Sequence, residues 1–416
     1  MNVSRKATRR IVAITLALLM AQVAPAFAAA HGRRTETHHG RTAPQAVPLS
    51  SIAVLGNRPA PFALDARAAE LMAARSGTIL YAYNQHEKMQ PASLAKLMTF
   101  YLTMSAIHTG RITLETDVPI SEAAWRLSLN SSVSRMFLQV GQKVPVRDLL
   151  YGLMVSSGND AAVALAEYQA GSTDAFAVEM NKQAAILGMT ETHFVNPDGL
   201  PSPDEYTTAA DMVKLGRAVL EAFPNATQYT GTKEFTFDKI SQRNFNTLLF
   251  YDSRVNGLKT GHVEEAGYHL VASAHTNDLQ LVSAVLGTPS SEKRRTETEK
   301  LIDWAFRTFE TVSPDWHKVV PATVRVYQGD IEEVAVAPEG GNSYFTIGRG
   351  QENKIKLAAT MASKPLTAPL AKGAKVGELT VMIDGKPESS IPIVTQAAVK
   401  RGGYIHNLID AARMKL

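Results

Sequence analysis

Three short patterns in this sequence have residue types and spacings that could do chemistry. Ser93 and Lys96 stand three residues apart in Pro91-Ala92-Ser93-Leu94-Ala95-Lys96-Leu97-Met98-Thr99, where an apolar stretch opens that runs from Leu94 to Met104. As a helix, that stretch puts the Ser93 hydroxyl at its N-terminus, where backbone N–H groups converge, and Lys96 one turn further along the same face. An amine held against a hydroxyl in apolar surroundings is what an activated serine nucleophile requires. Ser157-Gly158-Asn159 forms a tight polar break between two apolar segments, Val146–Val155 and Ala161–Ala170, and can point side chains into a cleft. Lys259-Thr260-Gly261 occurs once and leads into a late strand. Taken singly, each pattern is weak. Ser290-Ser291-Glu292-Lys293 repeats the first spacing and Ser128-Leu129-Asn130 the second. The former sits in a charged run where a lysine stays solvated and protonated; the latter reads as a polar loop. A helix cap for Ser93 and a satisfied turn for Asn159 are the plain structural alternatives.

The elements that must position these residues follow from periodicity. Glu70–Ala74 and Thr78–Ala82 flank Arg75-Ser76-Gly77, a hairpin signal. Helices are expected over Leu94–Met104, Val146–Val155, Ala161–Ala170, Ala175–Leu187 and Ala209–Glu221. Strands return at Glu234–Phe237, Gly267–Ala274 and Leu279–Leu286, the last two separated by Thr276-Asn277-Asp278. Helices between an early and a late set of strands imply an α/β (α+β) domain with an inserted helical cluster, spanning residues 62–315. Beyond Phe309 the character changes. Val324/Val326 and Leu379/Val381/Ile383 alternate with polar residues, and Asp384-Gly385 is a hairpin dipeptide. Residues 316–400 therefore read as a small all-β domain.

At 416 residues two domains are natural, and 45% hydrophobic with 20% charged residues is ordinary for a folded protein. The formal charge of +4 comes from Arg5, Lys6, Arg9 and Arg10; the remainder balances, which argues against nucleic acid as a partner. With no cysteine, disulfides and thiol chemistry are excluded. The four basic residues precede the apolar run Ile11–Met20, and Ala26-Phe27-Ala28 offers the small residues a signal peptidase reads. Gln22 and Pro25 keep the run short of a membrane span. Residues 1–28 are thus expected to be a signal peptide for export to the periplasm, and 29–61 a polar linker. His31, His38 and His39 lie close together in that polar linker and read as solvated residues, so no metal or other cofactor is expected.

The order of the three patterns carries more than any one of them. Ser93-Leu94-Ala95-Lys96, then Ser157-Gly158-Asn159-Asp160-Ala161, then Gly257-Leu258-Lys259-Thr260-Gly261-His262 with Ala266-Gly267-Tyr268 closely resembles the low-molecular-mass penicillin-binding proteins, the serine-type D-alanyl-D-alanine carboxypeptidase family. The resemblance runs from about residue 62 to about 400, because the β-rich C-terminal part also looks like that family's second domain. It implies the penicillin-recognising serine transpeptidase and β-lactamase-like fold, peptidoglycan stem peptides as substrate and β-lactam antibiotics as covalent inhibitors.

Position by position, the resemblance makes Ser93 the acylated nucleophile and Lys96 its base, with burial and the second cation Lys259 lowering the Lys96 pKa. Ser157 would relay a proton to the leaving group and Asn159 would hold the substrate peptide. Lys259 would supply positive potential, Thr260 would bind the terminal carboxylate, and the backbone N–H groups of Ser93 and His262 would form the oxyanion hole beside Gly261. Trp304-Ala305-Phe306-Arg307 aligns Arg294 as the anchor for the free carboxylate, with Arg295 as its competitor. The tail, residues 401–416, puts Tyr404, Ile405, Leu408, Ile409 and Ala412 on one helical face, as a short peripheral membrane contact would. A β-lactamase shares the patterns but lacks a second domain; an endopeptidase and a silent wall-binding scaffold are further alternatives, and release of D-alanine from a pentapeptide stem separates them.

Overall fold

The computed structural model describes residues 62–341, 343–404 and 410. The expected signal peptide and linker, and most of the tail, lie outside the described residues. Two strands, β1 (Ala68–Ala73) and β2 (Thr78–Tyr83), form the first hairpin, turning at Gly77 with φ +72°. A helical cluster follows: α1 (Ala95–His108), the small pair β3 (Asp117–Pro119) and β4 (Lys143–Pro145) around α2 (Glu122–Leu129), then α3 (Val146–Met154), α4 (Asn159–Ala170), α5 (Thr173–Ile186) and α6 (Ala209–Ala222). One-turn helices α7 (Thr227–Thr230) and α8 (Leu248–Tyr251) bracket the hairpin β5 (Glu234–Phe237) and β6 (Ile240–Arg243). The chain then returns through β7 (Val255–Val263), β8 (Gly267–His275) and β9 (Gln280–Thr288) before the long helix α9 (Ser291–Thr308). The main sheet has the order β2-β1-β9-β8-β7, which leaves β7 as an edge strand.

Why this sheet stays buried is visible in its residues. β1 reads Ala-Ala-Glu-Leu-Met-Ala and is covered on both faces, and β8 and β9 are nearly continuous apolar runs. On one face α1 to α6 pack a large core that includes Met72, Leu97, Phe100, Leu165, Leu215 and Val282. On the other, Leu301, Trp304 and Phe306 of α9 close over Leu71, Leu281 and Val285. Trp304 also meets Phe62, Tyr81 and Phe309 edge-on, tying the start of the domain to its end.

The sheet carries one costly polar residue. Glu70 of β1 is buried against α6, and burial pushes its carboxyl up to about 7 despite the nearby Lys214 and His86. A carboxyl raised in the fold favours folding at low pH, and that contribution is lost as pH climbs from its unfolded value of 4.5 through the folded value of about 7. Glu70→Gln should therefore stabilise the protein at pH 8, by at most about 3 kcal/mol. Near pH 4.5 it should do almost nothing. Denaturant melts at the two pH values check this.

After β10 (Phe309–Val312) the chain enters a β-rich region built from β11 (Thr323–Tyr327), β12 (Glu333–Pro338), β13 (Phe345–Gly348), β14 (Ile355–Met361), β15 (Leu366–Thr367), β16 (Lys375–Ile383) and β17 (Lys386–Thr395). Six of these form a sheet of order β14-β16-β17-β12-β11-β15, while β13 pairs with β10. The expected alternation holds: Leu379, Val381 and Ile383 are buried together with Phe345, Ile347 and Ile393. Asp384 and Gly385 both have positive φ, as a two-residue hairpin loop needs. The second region is held to the first by polar contacts: Ser76 Oγ lies 2.7 Å from Thr346 Oγ1, and Arg349 donates to Asp278 at 2.8 Å.

No helix among the described residues is long and apolar enough to cross a membrane. Of the tail face only Tyr404 is described, and it is 82% exposed; Asp410 is buried and accepts a hydrogen bond from the Gln328 N–H.

Candidate active site

Ser93 lies in a single 3-10 turn, Ala92–Leu94, immediately ahead of α1 rather than within its first turn. Everything from Pro91 to Phe100 is buried except Ser93, which stays half-exposed. Ala92 before it takes φ +51°, a strained conformation for an alanine and one that cluster at functional sites. Two glycines let other segments close on this turn. A β-carbon at Gly261 would stand 2.9 Å from the Pro91 carbonyl oxygen, so only glycine lets the edge strand β7 approach. At Gly199 it would stand 1.8 Å from the Ala92 oxygen, and there φ is +75° as well. The Ser93 turn is gripped from both sides.

Lys96 is wholly buried, and its Nζ donates to Ser93 Oγ at 2.9 Å and to the Asp198 carbonyl at 2.5 Å. Asn196 prepares that carbonyl: its Oδ1 accepts from the N–H groups of Asp198, Gly199 and Leu200, fixing the loop. Burial lowers the Lys96 ammonium to about 8, against the pull of Asp198, Asp160 and Glu205.

The second pattern comes to the same place. Ser157 ends the break after α3 with φ +53°, and Lys259 of β7 donates to its Oγ at 3.0 Å. Lys259 is also buried, and its pKa is held well below the usual lysine value by burial, then by the charges of Lys96 and Arg294. Burial is the largest cause lowering Lys96, and the two buried amines also repel each other. Asn159 opens α4, buried, and among the described residues no partner holds its side-chain amide. Thr260 is buried beside Lys259, and His262 is exposed and stacks on Tyr268 at 3.9 Å between ring centroids.

Arg294 and Arg295 separate cleanly. Arg294 points inward, buried, donating to the Phe245 carbonyl at 2.9 Å and to Ser291 Oγ at 3.2 Å, with Tyr268 across from it. It has no carboxylate partner among the described residues, and burial lowers it only to about 10, so it remains charged at neutral pH. Arg295 pairs with Glu299 at 2.8 Å over the exposed Tyr251.

The competing patterns resolve structurally. Ser290 caps α9 by accepting from the Lys293 N–H, and Lys293 is exposed beside Asp65. Ser128 is not in a polar loop. It lies buried in the last turn of α2, where its hydroxyl donates to Asp160 at 2.7 Å. Asp160 also accepts from the N–H groups of Met136 and Leu138, pinning the segment that lies against Gly158. Sequence reasoning passed over Asp160, Asp198 and Glu205. Only Asp160 carried a signal, as the acid next to Ser157-Gly158-Asn159.

A family model described as D-alanyl-D-alanine carboxypeptidase matches residues 56–290. The chain belongs to the D-alanyl-D-alanine carboxypeptidase family. A second model, the C-terminal domain of penicillin-binding protein 5, matches residues 306–401 of this carboxypeptidase. The D-alanyl-D-alanine carboxypeptidase DacC of Escherichia coli is 42% identical over 357 residues, 85% of this chain and 88% of the relative. Among solved structures, penicillin-binding protein 5 from Haemophilus influenzae superposes with a TM-score of 0.74 at 38% identity, covering 82% of this chain and 99% of that one. Penicillin-binding protein D2 from Listeria monocytogenes, solved in its ampicillin-bound form, matches at 31% identity and a TM-score of 0.54 over 60% of this chain and all of that one. The carboxypeptidase is a serine-type hydrolase by this membership, with a mixed α/β domain followed by an all-β one.

Proposed function

We propose that this carboxypeptidase is exported and removes the terminal D-alanine from peptidoglycan stem pentapeptides through an acyl-enzyme on Ser93. The observation that carries the reading is the Lys96 amine, buried and 2.9 Å from Ser93 Oγ, with a carbonyl rather than a carboxylate as its other acceptor. An amine without a carboxylate partner can give up its proton near neutrality and then take one from serine.

In this reading Lys96 accepts the Ser93 proton as Oγ attacks the carbonyl of the penultimate D-alanine. The C–N bond breaks, and the departing D-alanine amine receives a proton through Ser157, which Lys259 orients. Asn159 holds the peptide from the α4 side. The open edge of β7 suits an extended substrate backbone, since a strand edge offers unpaired N–H and C=O groups. The N–H groups of Ser93 and His262 face the developing oxyanion. Thr260 and Arg294 take the terminal carboxylate, and its arrival favours the ammonium form of Lys259. Water then releases the acyl group. We assign residues 62–315 as the catalytic domain, 316–400 as a domain that carries none of these groups, 1–28 as the export signal and the periplasm as the working compartment.

β-Lactams should be trapped by the same serine. Penicillin is expected to form one covalent adduct per chain, mapped to the peptide containing Ser93 by mass spectrometry and absent in Ser93→Ala. An adduct on Ser290, or none, overturns the assignment.

A further inference from the structure

Near Lys96 lies a buried pair of carboxyl groups on one loop. Asp198 and Glu205 both belong to the connection between α5 and α6, and both are almost fully buried. The loop is stapled in place: the Tyr206 and Thr207 N–H groups donate to the His193 and Met89 carbonyls. Asp198 Oδ1 accepts from the Leu200 N–H at 3.2 Å. Glu205 is poorer still. Its Oε1 receives the Val195 N–H at a long 3.5 Å, the Asn196 N–H adds a weaker pull, and among the described residues its buried Oε2 has no partner. Neither group makes an ion pair among the described residues, though Lys96 is close enough for its charge to act on both.

An ionised carboxylate with a bare buried oxygen is expensive, so this environment favours the neutral acid for Glu205. Burial holds its carboxyl up at about 8, with Asp198 adding to the rise and Lys96 opposing it. That proton matters to the amine. Each negative charge near Lys96 favours the ammonium, which cannot act as a base. With one proton to share, the pair can exist as amine plus acid or as ammonium plus carboxylate.

We propose that Glu205 is a positioning residue for the proton balance of Lys96: as a neutral acid it lets the amine stay free, and when ionised it converts the pair to a zwitterion in which Lys96 cannot accept the Ser93 proton. The inference rests on the reading of Lys96 as base. The charges facing Lys96 are Asp198 and Glu205 from the loop and Asp160 from α4, with Lys259 of β7 coupled to it; those facing Glu205 are Asp198 and Lys96.

The test is the pH profile of Ser93 acylation by a chromogenic cephalosporin, for the unmodified protein and for Glu205→Gln, which keeps the shape and removes the charge. At pH 6, where Glu205 keeps its proton, the two should acylate at the same rate. Above that the unmodified protein should lag, its limb broadened, and the variant should reach half its plateau about a quarter to half a unit earlier, giving a rate roughly 1.3- to 1.5-fold higher near pH 8. Profiles that superpose, or that differ by one constant factor at every pH, overturn the proposal; a purely structural role predicts the constant factor. Should Glu205→Gln not fold, glutamate carboxyl carbons can be titrated by NMR in the Glu70→Gln protein. One remaining glutamate titrating near pH 8 supports the proposal, and none above the ordinary range overturns it. Failure of the underlying reading is distinguishable, because Lys96→Arg would then still acylate; if it is inert while the Glu205→Gln profile is unchanged, only this proposal fails.

Discussion

Lys96→Arg is expected to slow acylation of Ser93 by penicillin by about 100- to 10,000-fold, the usual worth of a general base. The guanidinium keeps the positive charge and donors but cannot be deprotonated in a protein, so it cannot take the Ser93 proton. Charge-based roles for Lys96, such as simple attraction of a carboxylate, predict a mild effect instead. The site is fully buried, so the fold of the variant must be checked by its near-ultraviolet circular dichroism. A second route avoids bulk: the chain has no other cysteine, so Lys96→Cys followed by alkylation with bromoethylamine rebuilds an amine at that position alone. Recovery of acylation on alkylation is the expected result. Near-normal acylation by Lys96→Arg would make the lysine structural. The wild-type rate should also climb about tenfold per pH unit below its limb, which for an amine lowered to about 8 lies within reach of the assay.

Much of this site was legible because it is made of local patterns on strong elements. Ser93 and Lys96 stand three residues apart where an apolar helix opens, and Ser157 and Asn159 sit where two apolar helices break; short-range periodicity reads both. The alternating strands of the second domain and the Asp384-Gly385 hairpin were visible for the same reason. What escaped depends on contacts distant in the chain. The loop that places the Asp198 carbonyl on Lys96 lies 102 residues away, and nothing local marks its acids as buried. Ser128 looked like loop because Asn130 follows it, yet α2 is ordered by its tie to Asp160 across 32 residues. α9 was hidden by composition: Ser291–Thr308 opens with a charged run, and its apolar residues fall on the one face that covers the sheet. The balance of causes behind the Lys96 shift is hidden for a related reason. Sequence shows which charges are present, while the depth of burial, which dominates here, is a property of the packed domain.

Arg294→Ala is expected to lower kcat/KM for peptides ending in a free carboxylate by roughly ten- to a hundredfold, with little change for the matched amidated peptide. The argument starts from α9. Consecutive residues on a helix point about 100° apart, so only one of Arg294 and Arg295 can face the site. Arg294 is the buried one: among the described residues its acceptors are Phe245 O and Ser291 Oγ, Tyr268 lies beside it, and its charge acts on Lys259. A guanidinium desolvated without a counter-ion is an incomplete arrangement, and a carboxylate completes it. The entering carboxylate loses water and gains a charge-assisted hydrogen bond, worth about 1.5–3 kcal/mol. An amide has no such charge, so its turnover, already poor, does not depend on the arginine. Arg295→Ala is the internal control. Arg295 is satisfied by Glu299 and stacked on Tyr251 at the surface, and its loss should leave the ratio of free-acid to amide turnover where it was. Steady-state kinetics on the peptide pair for the three proteins gives the answer. A selective loss in Arg295→Ala would reverse the assignment, and equal losses on both peptides in Arg294→Ala would mean that the arginine only props up the Phe245 loop. If neither variant discriminates, Thr260 and Lys259 hold the carboxylate alone.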